Sequence, residues 1–193
     1  MIGPALILLA GGHSTRMGQP KHELPVGDKT LLEWQLARLR RFFGETIVVG
    51  AAAPADARSV ADDRANSGPL AGIEAGLKAL RTDDRAFVLA CDMPRVSPTL
   101  AALLIRISTG HEAAVPRVGG IAQPTCAVYG RSARPKISAF LDSGSRRLTL
   151  ALDRLDVRYV DDDELRAEGY DHREFADLDT PADYQAFLAE MRS

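Results

Sequence analysis

Short apolar runs alternate with stretches of helical periodicity along most of the chain. Ala5-Leu6-Ile7-Leu8-Leu9, Thr46-Ile47-Val48-Val49 and Ala86-Phe87-Val88-Leu89-Ala90 are almost continuously apolar over strand length, the pattern of strands covered on both faces. Residues 30 to 43 place Leu32, Leu36, Leu39 and Phe43 at helical spacing with Arg38, Arg40 and Arg41 among them. That spacing predicts a helix with one packed and one solvated face, ended by Gly44, and assigns Trp34 to the core or the helix edge. Ser67-Gly68-Pro69 precedes a second helix with Leu70, Ile73, Leu77 and Leu80 on one face, and Pro69 suits the first turn, where a missing N–H costs nothing. Ser97-Pro98 opens a third, carrying Leu100, Leu103, Leu104 and Ile107, before a short strand at 113 to 115.

The second half is less regular. Gly119-Gly120 predicts a tight turn into a strand at 124 to 129 that breaks the parallel order. Helices are expected near 132 to 142 and 146 to 154, then a strand at 157 to 160. Thr180-Pro181 opens a last helix that buries Tyr184, Phe187, Leu188 and Met191. Strands alternating with helices predict a three-layer α/β/α sandwich around a mostly parallel sheet with an antiparallel strand. With 193 residues, no linker and no internal repeat, residues 1–193 are expected to form a single domain.

A net charge of −2 gives no global basic face and argues against a nucleic-acid partner. Any binding of phosphate therefore rests on local charge. Cys91 and Cys126 both lie in apolar strand-like contexts and are read as small buried hydrophobes. Without a basic leader before the first apolar run, or a stretch able to cross a bilayer, the expected location is the cytoplasm, away from the membrane.

The chemistry concentrates after the first strand, in Leu9-Ala10-Gly11-Gly12-His13-Ser14-Thr15-Arg16-Met17-Gly18-Gln19-Pro20-Lys21. Gly11, Gly12 and Gly18 let backbone N–H groups approach phosphate oxygens, and Arg16 and Lys21 add a planar fork and a point charge. The spacing is neither GxGxxG nor GxxxxGK followed by Ser or Thr, since His22 follows the lysine. Asp92, directly after the strand at 86 to 90, is expected at the same sheet edge as a ligand for Mg²⁺, although an aspartate there also caps turns. Asp177 and Asp179 alternate by two and would face one side of an extended segment; they serve either a shared metal or the turn into the last helix. The acidic run Asp161 to Glu164 reads as a solvated loop or a helix start. His13 and His22 are read as loop residues, and no Ser/His/Asp or Cys/His constellation stands out.

The glycine run, with Arg16, Met17-Gly18 and Lys21 in that order, resembles the signature of nucleotidyltransferases of the molybdenum cofactor and sugar-nucleotide type. Cys91-Asp92-Met93-Pro94 resembles the CDxP element of molybdenum cofactor guanylyltransferases, whose aspartate binds Mg²⁺. Gly68-Pro69-Leu70-Ala71-Gly72 resembles their GPLAG element near the nucleoside, and Asp177 to Pro181 their Asp-x-Asp-Thr-Pro element. Gln123-Pro124-Thr125 is similar to an element near the pterin, and Gly144-Ser145-Arg146-Arg147 to a Gly-x-Arg-Arg element that receives an acceptor phosphate. Two adjacent arginines on a helix would face different sides, leaving one for the cleft. Asp63 aligns with a family aspartate near the base, with Asp62 competing, and Gly50 replaces a family asparagine.

The resemblance implies a Rossmann-like fold and transfer of GMP from GTP to the phosphate of molybdopterin, releasing pyrophosphate. It implies Lys21, Arg16 and Asp92 as catalytic residues, with Lys21 at the α-phosphate and Arg16 at the β- and γ-phosphates. Nucleotide contacts would come from Leu9, Ala10, Gly11, Gly12, Lys21, Gly50, Asp63, Gly68 and Asp92, and metal ligation from Asp92, Asp177 and Asp179. Partners would be GTP, molybdopterin and molybdoenzyme maturation proteins. The alternatives are cytidylyl transfer to the same pterin, guanylyl transfer to cobinamide phosphate, sugar-1-phosphate nucleotidyl transfer, and a non-catalytic nucleotide-binding module. LAGG together with GPLAG points to guanylyl, and the joint presence of Arg16, Lys21 and Asp92 speaks against a silent module.

Overall fold

A computed structural model describes residues 3–11, 17–62, 64, 67–81 and 83–191. Its main sheet comprises β1 (Ala5–Leu9), β4 (Glu45–Val49), β5 (Arg58–Val60), β6 (Arg85–Ala90), β7 (Ala113–Val118), β8 (Ile121–Ala122), β9 (Cys126–Gly130) and β10 (Val157–Asp161). β2 (Pro25–Val26) and β3 (Lys29–Thr30) make a separate hairpin. The main order is β10-β7-β9-β6-β1-β4-β5, with β8 paired to β7. β1 is parallel to both β4 and β6, while β9 runs antiparallel to β6 and β7. The α/β sandwich expected is thus the architecture observed, with β9 and the short β8 running against an otherwise parallel sheet.

The helices are α1 (Leu31–Leu39), α2 (Pro69–Ala79), α3 (Pro98–Ile107), α4 (Arg134–Asp142), α5 (Leu148–Leu152), α6 (Asp162–Ala167) and α7 (Pro181–Glu190). Alternation along β1 sorts them into layers. Ala5, Ile7 and Leu9 join a buried cluster with Leu70, Ile73 and Leu77 of α2, Ile137 of α4 and Leu152 of α5. Leu6 and Leu8 join Leu32 and Leu36 of α1, Leu100 and Leu104 of α3 and Leu165 of α6. A third cluster, Leu24, Val26, Leu31, Leu178, Tyr184 and Phe187, packs the small hairpin against α7.

Several elements depart from the periodicity. The helix expected over 30 to 43 stops at Leu39 and continues only as a 3₁₀ turn over Arg40–Phe42, so Gly44 does not cap it. The Gly119-Gly120 turn, with φ of +57° and +78°, joins β7 to β8 and does not lead straight into β9. The helix expected at 146 to 154 is shorter, spanning Leu148–Leu152, which leaves Arg146 before it and Arg147 as its N-cap. Met191 stands 48% exposed because it lies past the end of α7 as its C-cap, and Leu188 is half-buried at the margin of the hairpin cluster. The hairpin β2–β3 and strand β5 have no counterpart in the sequence pattern, whereas the acidic run 161–164 is a helix start, with Asp161 the N-cap of α6.

Candidate active site

Parallel pairing brings the carboxyl ends of β1, β4 and β6 to one edge. Leu9 lies level with both Val49 and Ala90. The next backbone bonds continue the ladder: Ala10 N–H donates to the Val49 carbonyl at 2.8 Å and Cys91 N–H to the Leu9 carbonyl at 2.9 Å. Ala10-Gly11, Gly50 and Cys91-Asp92 therefore leave the sheet side by side, where ligands gather in open α/β folds. Gly50 has φ of +87°, and a Cβ on it would lie 2.6 Å from the Gly11 Cα. The glycine that stands in place of a side-chain contact thus lets the β4 exit lie against the glycine run. Gly12, Arg16 and Asp63 lie outside the described residues.

Lys21 opens a 3₁₀ turn over Lys21–Glu23, anchored through Leu24, whose carbonyl accepts from Leu31 N–H at 2.7 Å. Its Nζ lies 2.8 Å from Asp92 Oδ2 and 2.8 Å from Asp179 Oδ1. Burial pulls the ammonium's pKa down, but the hydrogen bonds and charges of Asp179 and Asp92 outweigh it, and the net shift is upward. Lys21 therefore keeps its proton.

Leu178 fixes the third arm. Fully buried in the hairpin cluster, it donates its N–H to the Asp92 carbonyl at 2.8 Å. Its neighbours Asp177 and Asp179 are thereby held beside the Asp92 loop. Asp177 keeps access to solvent, yet the protein crowded around its carboxyl, together with the charges of Asp92 and Asp179, pushes its pKa up to about 6. Two carboxylates thus grip one ammonium, and a third, Asp177, stands near enough to feel the charge of both. Lys21 occupies the place between Asp92 and Asp179, and among the described residues no group of three or more His, Cys, Asp or Glu side chains forms a ready metal cage.

Two more expected elements reach this edge. Gly68, with φ of +71°, is the N-cap of α2 and offers no side chain to its first N–H groups. Gly72 lets that first turn sit on β1, since a Cβ there would approach the Leu9 side chain to 3.1 Å. Thr125 accepts from Ala90 N–H at 2.8 Å, placing Gln123-Pro124-Thr125 next to the Asp92 loop. Arg146 and Arg147 precede α5, which packs on the α2 face of the sheet, and neither is on a helix. Burial pushes the Cys91 thiol up to about 12 and the Cys126 thiol higher still, so both are inert core residues, as expected.

The motif reading missed Leu178 and a buried glutamine, Gln35. A polar residue within the apolar stripe Leu32, Leu36 and Leu39 was the available signal for the latter.

Comparison with known proteins gives a consistent picture. A family model described as the MobA-like NTP transferase domain matches residues 6–157. A probable molybdenum cofactor guanylyltransferase of Pelotomaculum thermopropionicum is 34% identical, over 92% of this chain and 88% of the relative. One of Chloroflexus aggregans is 36% identical, over 96% and 93%. The crystal structure of molybdopterin-guanine dinucleotide biosynthesis protein A from Archaeoglobus fulgidus superposes with a TM-score of 0.85 at 26% identity, covering 97% of this chain and 98% of that one. A 2-C-methyl-D-erythritol 4-phosphate cytidylyltransferase from Thermus thermophilus, at 22% identity and a TM-score of 0.70, shares the fold.

Proposed function

Because the chain belongs to the MobA-like NTP transferase family, we propose that its cleft transfers GMP from GTP to the phosphate of molybdopterin, with release of pyrophosphate. The observation that carries this reading is the Lys21 ammonium, gripped at 2.8 Å by both Asp92 and Asp179 where the glycine run leaves β1. An acceptor phosphate oxygen attacks the α-phosphorus, the bond to the bridging oxygen of the β-phosphate breaks, and its electron pair leaves with pyrophosphate. Both reactants are anions, and an ionised phosphate needs no base to become nucleophilic. Catalysis therefore consists of alignment and charge neutralisation.

Lys21 suits that task because Asp179 and Asp92 favour its charged form and already hold it in place. GTP phosphate oxygens would compete with Asp179, the more exposed partner, for its N–H donors. The N–H groups of the Gly11 region and the uncapped start of α2 supply further donors. Arg16, from the same loop, is proposed to hold the β- and γ-phosphates.

The donor set also fits a hard divalent cation. Asp92 and Asp179 grip Lys21 with Asp177 beside them, and burial, reinforced by the charges of Asp92 and Asp179, raises the Asp177 pKa, so this edge offers acidic oxygens that a hard cation can share with phosphate. When bound, Mg²⁺ would draw charge from the phosphate oxygens and hold acceptor and GTP together. Delivery of the product to molybdoenzyme maturation proteins in the cytoplasm belongs to the same inference. Incubating the protein with molybdopterin and labelled GTP tests it: a guanine dinucleotide should form only with Mg²⁺ and only with Lys21 and Asp92 intact.

A further inference from the structure

The loop that carries Asp92 is held from one side by helix α1. Gln35 Nε2 donates to the Cys91 carbonyl at 2.8 Å, and Arg38 Nη1, one turn later, donates to the Pro94 carbonyl at 2.5 Å. Residues three apart share a helix face, so two side chains of one helix grip the two carbonyls that bracket Asp92 and Met93. The loop is held further by main-chain bonds, from Cys91 N–H to Leu9, from Met93 N–H to Ala90 and from Leu178 N–H to Asp92, and by two side-chain contacts, Lys21 Nζ to Asp92 Oδ2 at 2.8 Å and Thr125 Oγ1 to Met93 Sδ at 3.8 Å.

Gln35 is an expensive way to make such a contact. It is fully buried, and its Oε1 is the buried side-chain atom that has no hydrogen-bond partner among the described residues. An unpaired buried acceptor destabilises the fold, and its stripe neighbours Leu32, Leu36 and Leu39 show that an apolar residue fits this face. Arg38 in turn is fixed by stacking over Trp34 at 4.4 Å, and Trp34 meets Phe187 of α7 edge-on at 5.2 Å. The grip on the Asp92 loop is thus backed by the helix that follows Asp177 and Asp179.

We propose that Gln35, assisted by Arg38, is a positioning residue that holds the Asp92 loop in the geometry needed to bind the divalent cation. Neither side chain touches substrate; both act through the backbone on either side of the ligating carboxylate. This rests on the reading of Asp92 as a cation ligand. Outer contacts that orient a ligand typically set metal affinity by about 10–100-fold.

The test uses the full chain and Mn²⁺, titrated by electron paramagnetic resonance, alongside the Mg²⁺ dependence of turnover and a thermal melt. Gln35→Met removes the donor and the orphaned acceptor together at similar length. It should weaken Mn²⁺ binding about tenfold and raise the Mg²⁺ needed for half-maximal rate by a similar factor, with a melting temperature close to that of the parent. A lowered melting temperature with unchanged Mn²⁺ affinity would show a purely structural role and overturn the proposal. Should Gln35→Met not fold, Arg38→Met decides by the same two readouts. Asp92→Asn separates the premises: loss of Mn²⁺ binding there with none in Gln35→Met refutes the positioning role alone, whereas retained binding in Asp92→Asn removes the ligand reading beneath it.

Discussion

At the scale of single residues the site is a problem of charge. One ammonium joins two carboxylates with a third close by, so each group's role shows in what happens when its partner is removed. Lys21→Ala should lower the rate of the chemical step by roughly a hundredfold or more, the usual effect of deleting one preorganised electrostatic donor. Single-turnover kinetics at saturating GTP and Mg²⁺ measures this directly, and an unchanged rate would reduce Lys21 to a structural partner of Asp92. Asp177 makes a prediction about pH. Its folded pKa of about 6 lies above the ordinary value of 3.8, so the folded protein binds the extra proton between those values. In metal-free protein this contribution to stability is present below about pH 4 and is lost as pH rises through about 6. Asp177→Asn should therefore melt higher than the parent at pH 7.5 and equally at pH 4. Solvent screens part of the effect, so the gain is small, roughly 2–4 °C. Calorimetry in chelator showing the same difference at both pH values would contradict this account of the shift.

At the scale of elements, Leu178 ties charge to packing. It is the buried pin between two surface carboxylates, and its N–H holds the Asp92 carbonyl. Leu178→Ala should cost about 2–5 kcal/mol of stability and also loosen both acidic arms, lowering activity at temperatures where the fold is intact. Denaturant titration paired with an activity assay checks the two together; a stability loss with full activity would mean that the arms are held by other contacts. The sequence made the strongly periodic or continuously apolar elements legible: β1, β4, β6, α2 and α3 lie close to where their patterns place them. Thr30 and Thr180 both form capping boxes, with Glu33 and Asp183. What escaped notice was short or supported from elsewhere. The hairpin β2–β3 has only two residues per strand around Gly27-Asp28, although a glycine there at φ +64° is a turn signal. Strand β5 has three residues and exists by pairing with β4. α1 stopped early because its end is set by the 3₁₀ turn that leads into β4, which hydrophobic spacing does not encode.

For the whole molecule, the site spans distant parts of the sequence because a parallel sheet gathers strand ends. Lys21 and Asp179 are 158 positions apart and share a hydrogen bond. The motifs named the ends of that contact; only the fold shows that one lysine joins the two acidic elements, and that the gripping helix α1 belongs to the same unit. Gly50 is the element whose meaning changed most, from a missing base contact to the point where β4 and the glycine run touch. Gly50→Ala should place a Cβ in forbidden space on a strained backbone and weaken GTP binding in calorimetric titration more than it lowers the melting temperature. The central claim, that this cleft moves GMP from GTP onto molybdopterin, is tested most directly by presenting the protein with molybdopterin, Mg²⁺ and α-labelled GTP or CTP in parallel and separating the products. The account predicts a labelled guanine dinucleotide with release of pyrophosphate from GTP and little product from CTP; a cytosine dinucleotide as the main product, or no transfer to the pterin from either nucleotide, would contradict it.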